Sequence, residues 1–268
     1  MKGIFVVFIV VIGGLLFIQS CEVQSFNGSW IKSNSLSDSV IFKEPLRFYD
    51  PNTRLQYSIF NDSVNIYCYI KATEKLAQLK IIRTGILLKI DTLGKKKYQK
   101  TILYPLIPKK TNKALPILKE TDWDLFISRF TYDHSYMKTT GFTTSTIEDE
   151  PIINNNGISV SITWDRYAVL LYKAIIPISQ IVSLNTNLKD STRLIGFSFY
   201  LKNLVDIEKE KQQNASNSTA NSSYTEKSMN RNKPSGGNFQ SLPQDEQQTY
   251  LFNIRSFEFN YKLAVKPK

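Results

Sequence analysis

Histidine is almost missing from this chain: His134 is the only one in 268 residues. One imidazole rules out a multi-histidine metal centre. A Ser-His-acid triad would have Asp124 or Asp133 to draw on, but no nucleophile elbow accompanies them. Cysteine is equally scarce, with Cys21 and Cys68 alone, so no zinc-ligand spacing exists, and no glycine pattern of a phosphate-binding loop or dinucleotide fold occurs. A haem held by His and Met would need ligands that His134, Met137 and Met229 do not supply at usable spacing. Carboxylates occur in two clusters, Asp122 with Asp124 and Glu148-Asp149-Glu150. Paired acids hydrolyse glycosides when they converge on a bond, but adjacent acids in a loop are ordinarily solvated or at most bind calcium. No enzymatic activity, cofactor or metal is therefore expected.

Long apolar runs are also absent after the first eighteen residues. The run from Gly3 to Ile18 follows a single basic residue, Lys2, contains Gly13 and Gly14, and has no basic cluster behind it. A bilayer-spanning helix needs about 20 apolar residues, so this start reads as an export signal rather than an anchor. It runs into Ile18-Gln19-Ser20-Cys21, which resembles the lipobox of bacterial lipoproteins. That resemblance implies a signal peptide over residues 1–20 and lipidation, with palmitate among the acyl chains, at Cys21. It also implies a tether over residues 21–40 and a place in the cell envelope. The outer membrane is the expected one, with the protein facing either the periplasm or the surface. More than one acyl chain makes such anchoring stable, where a single chain binds only marginally. Cys68 is then left without a disulfide partner and, by strand alternation, faces the core as a small hydrophobe. Five Asn-x-Ser/Thr triplets, at Asn27, Asn61, Asn214, Asn217 and Asn221, follow from local composition and do not change the bacterial assignment.

Charge is one-sided, 34 Lys and Arg against 23 Asp and Glu, a formal +11. Such a balance suits nucleic acid, an anionic membrane surface or an acidic polymer. Export argues against nucleic acid, and the basic runs Lys95-Lys96-Lys97 and Lys109-Lys110 are not interleaved with aromatics as a single-strand groove would be.

The dominant hydrophobic period is two. Leu55, Tyr57 and Ile59, then Val64, Ile66, Cys68 and Ile70, flank the turn signal Asn61-Asp62-Ser63 and predict a hairpin. Ile86, Leu88 and Ile90 continue the pattern, as do Ile158, Val160, Ile162 and Trp164. Val169, Leu171 and Ala174-Ile175-Ile176 follow across a short turn. Ile195, Phe197, Phe199 and Leu201 form another face, and Phe257 to Val265 close the chain as a long amphipathic strand. Seven or more such strands predict an all-β fold, a single antiparallel β-sandwich over residues 41–268. One or two short crossover helices interrupt it: one capped by Thr73, carrying Leu76, Leu79 and Ile82 and ending at Gly85, the other from Asp122 through Trp123, Phe126 and Phe130. From about residue 209 to 248 the chain is rich in Asn, Ser, Gln and Gly and too poor in apolar residues to offset its ordering entropy. This predicts a disordered insertion before the last strand.

Several stretches carry a wider resemblance: Phe48-Tyr49-Asp50, Tyr57-Ser58-Ile59-Phe60-Asn61-Asp62, Gln78-Leu79-Lys80-Ile81-Ile82-Arg83-Thr84-Gly85 and Ile90-Asp91-Thr92-Leu93-Gly94. They resemble uncharacterised Bacteroidota envelope lipoproteins, whose domain is similar to the family 9 carbohydrate-binding-module and DOMON-type sandwich. Gly157-Ile158 and Tyr172-Lys173-Ala174-Ile175-Ile176-Pro177-Ile178 resemble the same superfamily's later strands. This implies a binding module rather than a catalyst. The residues that such binding would use are Tyr67 and Tyr69, outward and two apart on one strand, a platform for a sugar ring. The other reading of the pair is that a helix or the partner sheet covers them. Trp164 and Trp123 read as core. The expected function is a lipid-anchored, non-catalytic envelope protein binding a glycan or another envelope component. The rival is a structural or assembly subunit that contacts a protein partner.

Overall fold

The computed structural model describes residues 24–32, 37–43, 45–92, 99–106, 127, 130, 134–142, 147–181, 194–203 and 244–266. Among them the chain is mostly β, in two mixed sheets that do not close into a barrel. One sheet orders its strands β1 (Ser25–Asn27), β13 (Arg255–Lys262), β12 (Leu194–Leu201), β6 (Ile86–Asp91), β7 (Lys100–Tyr104), β8 (Tyr136–Thr140) and β9 (Ile147–Pro151). The other runs β10 (Ser159–Trp164), β11 (Leu170–Pro177), β5 (Asn65–Ala72), β4 (Leu55–Asn61) and β2 (Ser29–Trp30), with β3 (Phe48–Asp50) also on β4.

The period-two pattern becomes register. Tyr57 stands opposite Ile70 and Ile59 opposite Cys68 across the β4–β5 hairpin, and these side chains are buried in a core shared with Ile86, Leu88, Ile90, Phe197, Phe199, Phe257 and Phe259 of the other sheet. Each such apolar side chain taken fully out of water contributes roughly 1.5–3 kcal/mol. Tyr57 stacks on Phe257 with ring centroids 4.4 Å apart, and Tyr104 approaches Tyr172 at 6.4 Å, so rings from both sheets meet between them.

The expectation of a wholly antiparallel arrangement is overturned at the N-terminal segment. β1 pairs with β13 and β2 with β4, both in parallel. Residues 25–30, expected within a tether of residues 21–40, are thus built into both sheets. Gly28 makes the crossing: its N–H donates to Lys262 O at 2.7 Å, and a Cβ there would lie 2.5 Å from that oxygen. Three more expectations shift. Helix α2 (Lys75–Thr84) is preceded by Glu74, not capped by Thr73, and buries Ala77, Gln78, Lys80, Ile81 and Ile82. Of the expected line Leu76, Leu79 and Ile82, Ile82 is buried, Leu76 packs partly buried against the core and Leu79 is half-buried; Gly85 does close the helix, at φ 70°. In β11 the inward phase is Leu170, Tyr172, Ala174 and Ile176, leaving Leu171 on the opposite face. The last strand stops at Lys262, and Val265 is exposed.

Strands β12 and β13 pair along their length, Leu194 with Lys262 through Leu201 with Arg255, so the long segment between them returns to the same sheet. The expected insertion, 209–248, lies outside the described residues as far as 243, but 244–248 begin helix α3 (Gln244–Phe252), which corrects its end. The predicted helix from Asp122 lies outside the described residues apart from Ile127 and Phe130, and the latter is buried. The signal segment and Cys21 also lie outside them.

Candidate functional site

On β5, Tyr67 and Tyr69 alternate with Ile66, Cys68 and Ile70 and therefore face away from the inter-sheet core. Helix α1 (Asp38–Lys43) lies over this face. Ile41 and Leu46 form a second apolar cluster with Tyr69 and Leu171, against which Phe42, Phe60 and Tyr67 pack. Lys173 pairs with Asp38 at 2.7 Å, and Lys71 Nζ donates to Phe42 O at 3.1 Å, fixing the helix to the sheet. Tyr69 is left 2% exposed. Tyr69 therefore has no face open to a sugar ring, in keeping with the reading in which a helix covers the pair. Tyr67 is half-buried, and its hydroxyl donates to Asp62 Oδ2 at 2.8 Å, while Asp62 Oδ1 accepts the N–H groups of Val64 and Asn65 at 2.7 and 2.6 Å. Burial raises both tyrosine pKa values, with Asp62 adding at Tyr67 and Asp38 at Tyr69. The covering helix was hidden in the sequence because its six residues fell in and beside a presumed tether. Asp38 followed by Ile41-Phe42 was the available signal.

A cleft opens where the N-terminal segment crosses between the sheets. Phe26, Phe48, Tyr57, Ile59, Phe259 and Tyr261 line it, with Asn27 and Arg47 beside them, but its free volume is ≈ 10 Å³. That is about the room one water needs, whereas ligand pockets run to several hundred Å³ (about 300 or more). The rings fill one another's space: Phe26 and Phe48 lie 4.0 Å apart, and the Arg47 guanidinium sits 4.9 Å over Phe48.

The third site centres on Tyr250 of α3, which sequence reasoning missed because it falls next to the presumed insertion. Its hydroxyl donates to Thr53 O at 2.6 Å. Arg54, Lys80 and Arg255 approach its ring at 5.0, 5.3 and 5.4 Å. Arg54 holds the left-handed conformation at φ 58° and bridges Glu74 at 2.9 Å and Glu246 at 2.7 Å. Burial opposes its charge, and the two carboxylates outweigh that and raise its pKa. Lys80, fully buried in α2, donates to the carbonyls of Tyr250 at 2.7 Å, Leu251 at 3.2 Å and Asn253. Burial first, then Arg255, pulls its pKa down to about 8. A buried amine of that kind is a candidate nucleophile. Here all three donors are spent on the C-terminal carbonyls of α3, so Lys80 caps a helix.

Of the remaining candidates, His134 stacks on Phe130 at 4.1 Å with Nδ1 2.9 Å from Phe130 O. Asp122, Trp123, Asp124 and Asp133 lie outside the described residues, and the side chains of Glu148, Asp149 and Glu150 are not described. Trp164 packs against the core and donates its indole N–H to Gln78 Oε1 at 3.0 Å. Among the described residues, no group of three or more His, Cys, Asp or Glu is placed to hold a metal, and no helix is long and apolar enough to cross a membrane. Compared with protein-family models, curated proteins and solved structures, the chain has no match.

Proposed function

We propose that this chain is a lipid-anchored envelope protein, held by Cys21, whose two sheets form a β-sandwich that binds a second envelope protein and catalyses nothing. The sandwich is supported by the shared core and by ring contacts such as Tyr57 on Phe257 at 4.4 Å. The resemblance to Bacteroidota envelope lipoproteins and to family 9 and DOMON-type domains supports the same architecture. One observation carries the choice of a protein partner over a glycan: Tyr69, half of the would-be sugar platform, is 2% exposed beneath α1. Among the described residues, the buried polar side chains of Asn61, Gln78 and Lys80 are spent on hydrogen bonds within the protein, which supports a non-catalytic reading. The test is chemical cross-linking of the full-length protein in its own envelope, with glycan-array binding by the same protein in parallel. Repeated recovery of one envelope protein, with no glycan signal, is expected. Glycan binding lost on Tyr67→Ala, with the fold intact, would restore the sugar reading.

A further inference from the structure

We infer that the end of the two sheets bearing Tyr49, Phe252 and Ile254 rests on the lipid surface in which Cys21 is anchored. The inference rests on the proposed anchoring at Cys21 and adds which face meets the bilayer. The tether is too short to leave this open: Gln24 O already accepts the Asn260 N–H at 2.9 Å, and β1 begins at Ser25. Only Glu22 and Val23 separate the lipidated cysteine from that fixed point, a reach of about 10 Å at full extension. The direction is set as well. Because β1 runs parallel to β13, with Ser25 opposite Asn260, Gln24 lies on the side of Ser25 toward Arg255, where β13 begins.

The exposed apolar side chains Phe252 and Ile254, 43% and 47% exposed, immediately precede Arg255. Tyr49, 56% exposed, lies on β3 opposite Gln56, next to Tyr57, whose ring stacks on Phe257. Arg255 Nη1 donates to Asn52 Oδ1 at 2.7 Å and ties these segments into one corner. Aromatic and aliphatic groups at such a corner suit the headgroup boundary, where a tyrosine buries its ring and keeps its hydroxyl wet. Of the acids described there, Glu74 and Glu246 are paired with Arg54, and Asp50 Oδ2 accepts the N–H and the hydroxyl of Thr53 at 2.7 and 2.6 Å, with Arg255 at the same corner, so each of these carboxylates is held by a partner within the protein.

The experiment uses the full-length lipidated protein in phosphatidylcholine–phosphatidylglycerol vesicles, with nitroxides attached at Phe252→Cys and Ile254→Cys. Val64→Cys and Val265→Cys serve as controls at the opposite end, where Asn61 holds Ala264. Cys68 is buried and takes no label in the folded protein. The expected result is that collision with membrane-dissolved oxygen exceeds collision with a water-soluble nickel chelate several-fold at 252 and 254, and that the order reverses at 64 and 265. If intact mass shows the acyl chains but 252 and 254 are as aqueous as the controls, the contact face is wrong and the anchor stands. If no lipid is found on Cys21, both fall together.

Discussion

The side-chain oxygen of Asn61, at the end of β4, accepts the hydroxyl of Tyr261, on β13 of the other sheet, at 2.9 Å. The same oxygen accepts the Ala264 N–H at 2.8 Å, and the Asn61 amide donates to Asp62 O and Ala264 O, each at 3.0 Å. Both side chains are buried. A polar group so placed stabilises only while every partner remains, since an orphaned buried donor or acceptor costs about 1–3 kcal/mol.

Asn61→Ala is therefore expected to lower the unfolding free energy by about 3 kcal/mol and Tyr261→Phe by about 1 kcal/mol. The double variant should fall short of their sum by roughly 1 kcal/mol, because the two residues share one bond. Urea titration of the four proteins measures this, and strict additivity would remove Asn61–Tyr261 as the tie between the sheets. Asn61→Asp keeps the acceptors but loses both donors, so it should rescue little.

Tyr67 and Tyr69 should separate in stability rather than in ligand binding. Tyr69→Ala empties a position packed by Ile41, Leu46 and Leu171, for an expected loss of about 3–5 kcal/mol. Tyr67→Phe removes only the hydroxyl held by Asp62, for about 1 kcal/mol. Guanidinium unfolding checks both, and equal small losses would mean that α1 does not cover this face in solution.

The β4–β5 hairpin was legible because Leu55, Tyr57, Ile59, Ile66, Cys68 and Ile70 keep strict alternation around an Asx turn, and one slip would reverse every side chain. β1 and β2 were not, because strands of three and two residues carry no period; their pairing depends on the close approach of Gly28 to Lys262. In α2 the helix was legible but its buried face was not: Lys80 and Gln78 are polar, and only their partners, the α3 carbonyls and Trp164, make their burial possible. The same limit hid the candidate sites. Whether Tyr69 is open depends on a helix distant in sequence, and Tyr250 gathers Arg54, Lys80 and Arg255 only once α3 has docked.

Alkaline titration should show two opposed effects. Burial raises Tyr57 and Tyr104 to about 12 and pushes Tyr69, Tyr172, Tyr250 and Tyr261 higher still. Unfolded tyrosine ionises near 10, so the stability these rings contribute is complete below about pH 10 and is lost as pH climbs toward their folded values. Lys80 is lowered to about 8 from 10.5. Between those values the unfolded chain holds the extra proton, so Lys80 alone makes stability rise through that window. The urea midpoint is expected to rise from pH 8 toward about 10, through Lys80, and to fall steeply above it as the tyrosines of the unfolded chain ionise. Lys80→Met should abolish the rise and leave the fall. Tyrosinate absorbance from the buried rings should appear together with loss of the β-sheet circular dichroism signal; ionisation of these rings in a folded protein would contradict their burial.

Thiol counting tests the core and the anchor in one measurement. Cys68 is fully buried, and burial raises its thiol pKa, so the nucleophilic thiolate is absent at neutral pH in the folded state. The chain has two cysteines, and a thioether on Cys21 would block the other permanently. Full-length protein from the membrane fraction should therefore show no thiol reactive toward an aromatic disulfide when folded and one when denatured in guanidinium. Cys68→Ala should reduce the denatured count to none, whereas Cys21→Ala should leave it at one. Two thiols in the denatured wild type would mean that Cys21 carries no lipid. One fast-reacting thiol in the folded protein, lost on Cys68→Ala, would mean that the seam between β5 and β11 opens to solvent.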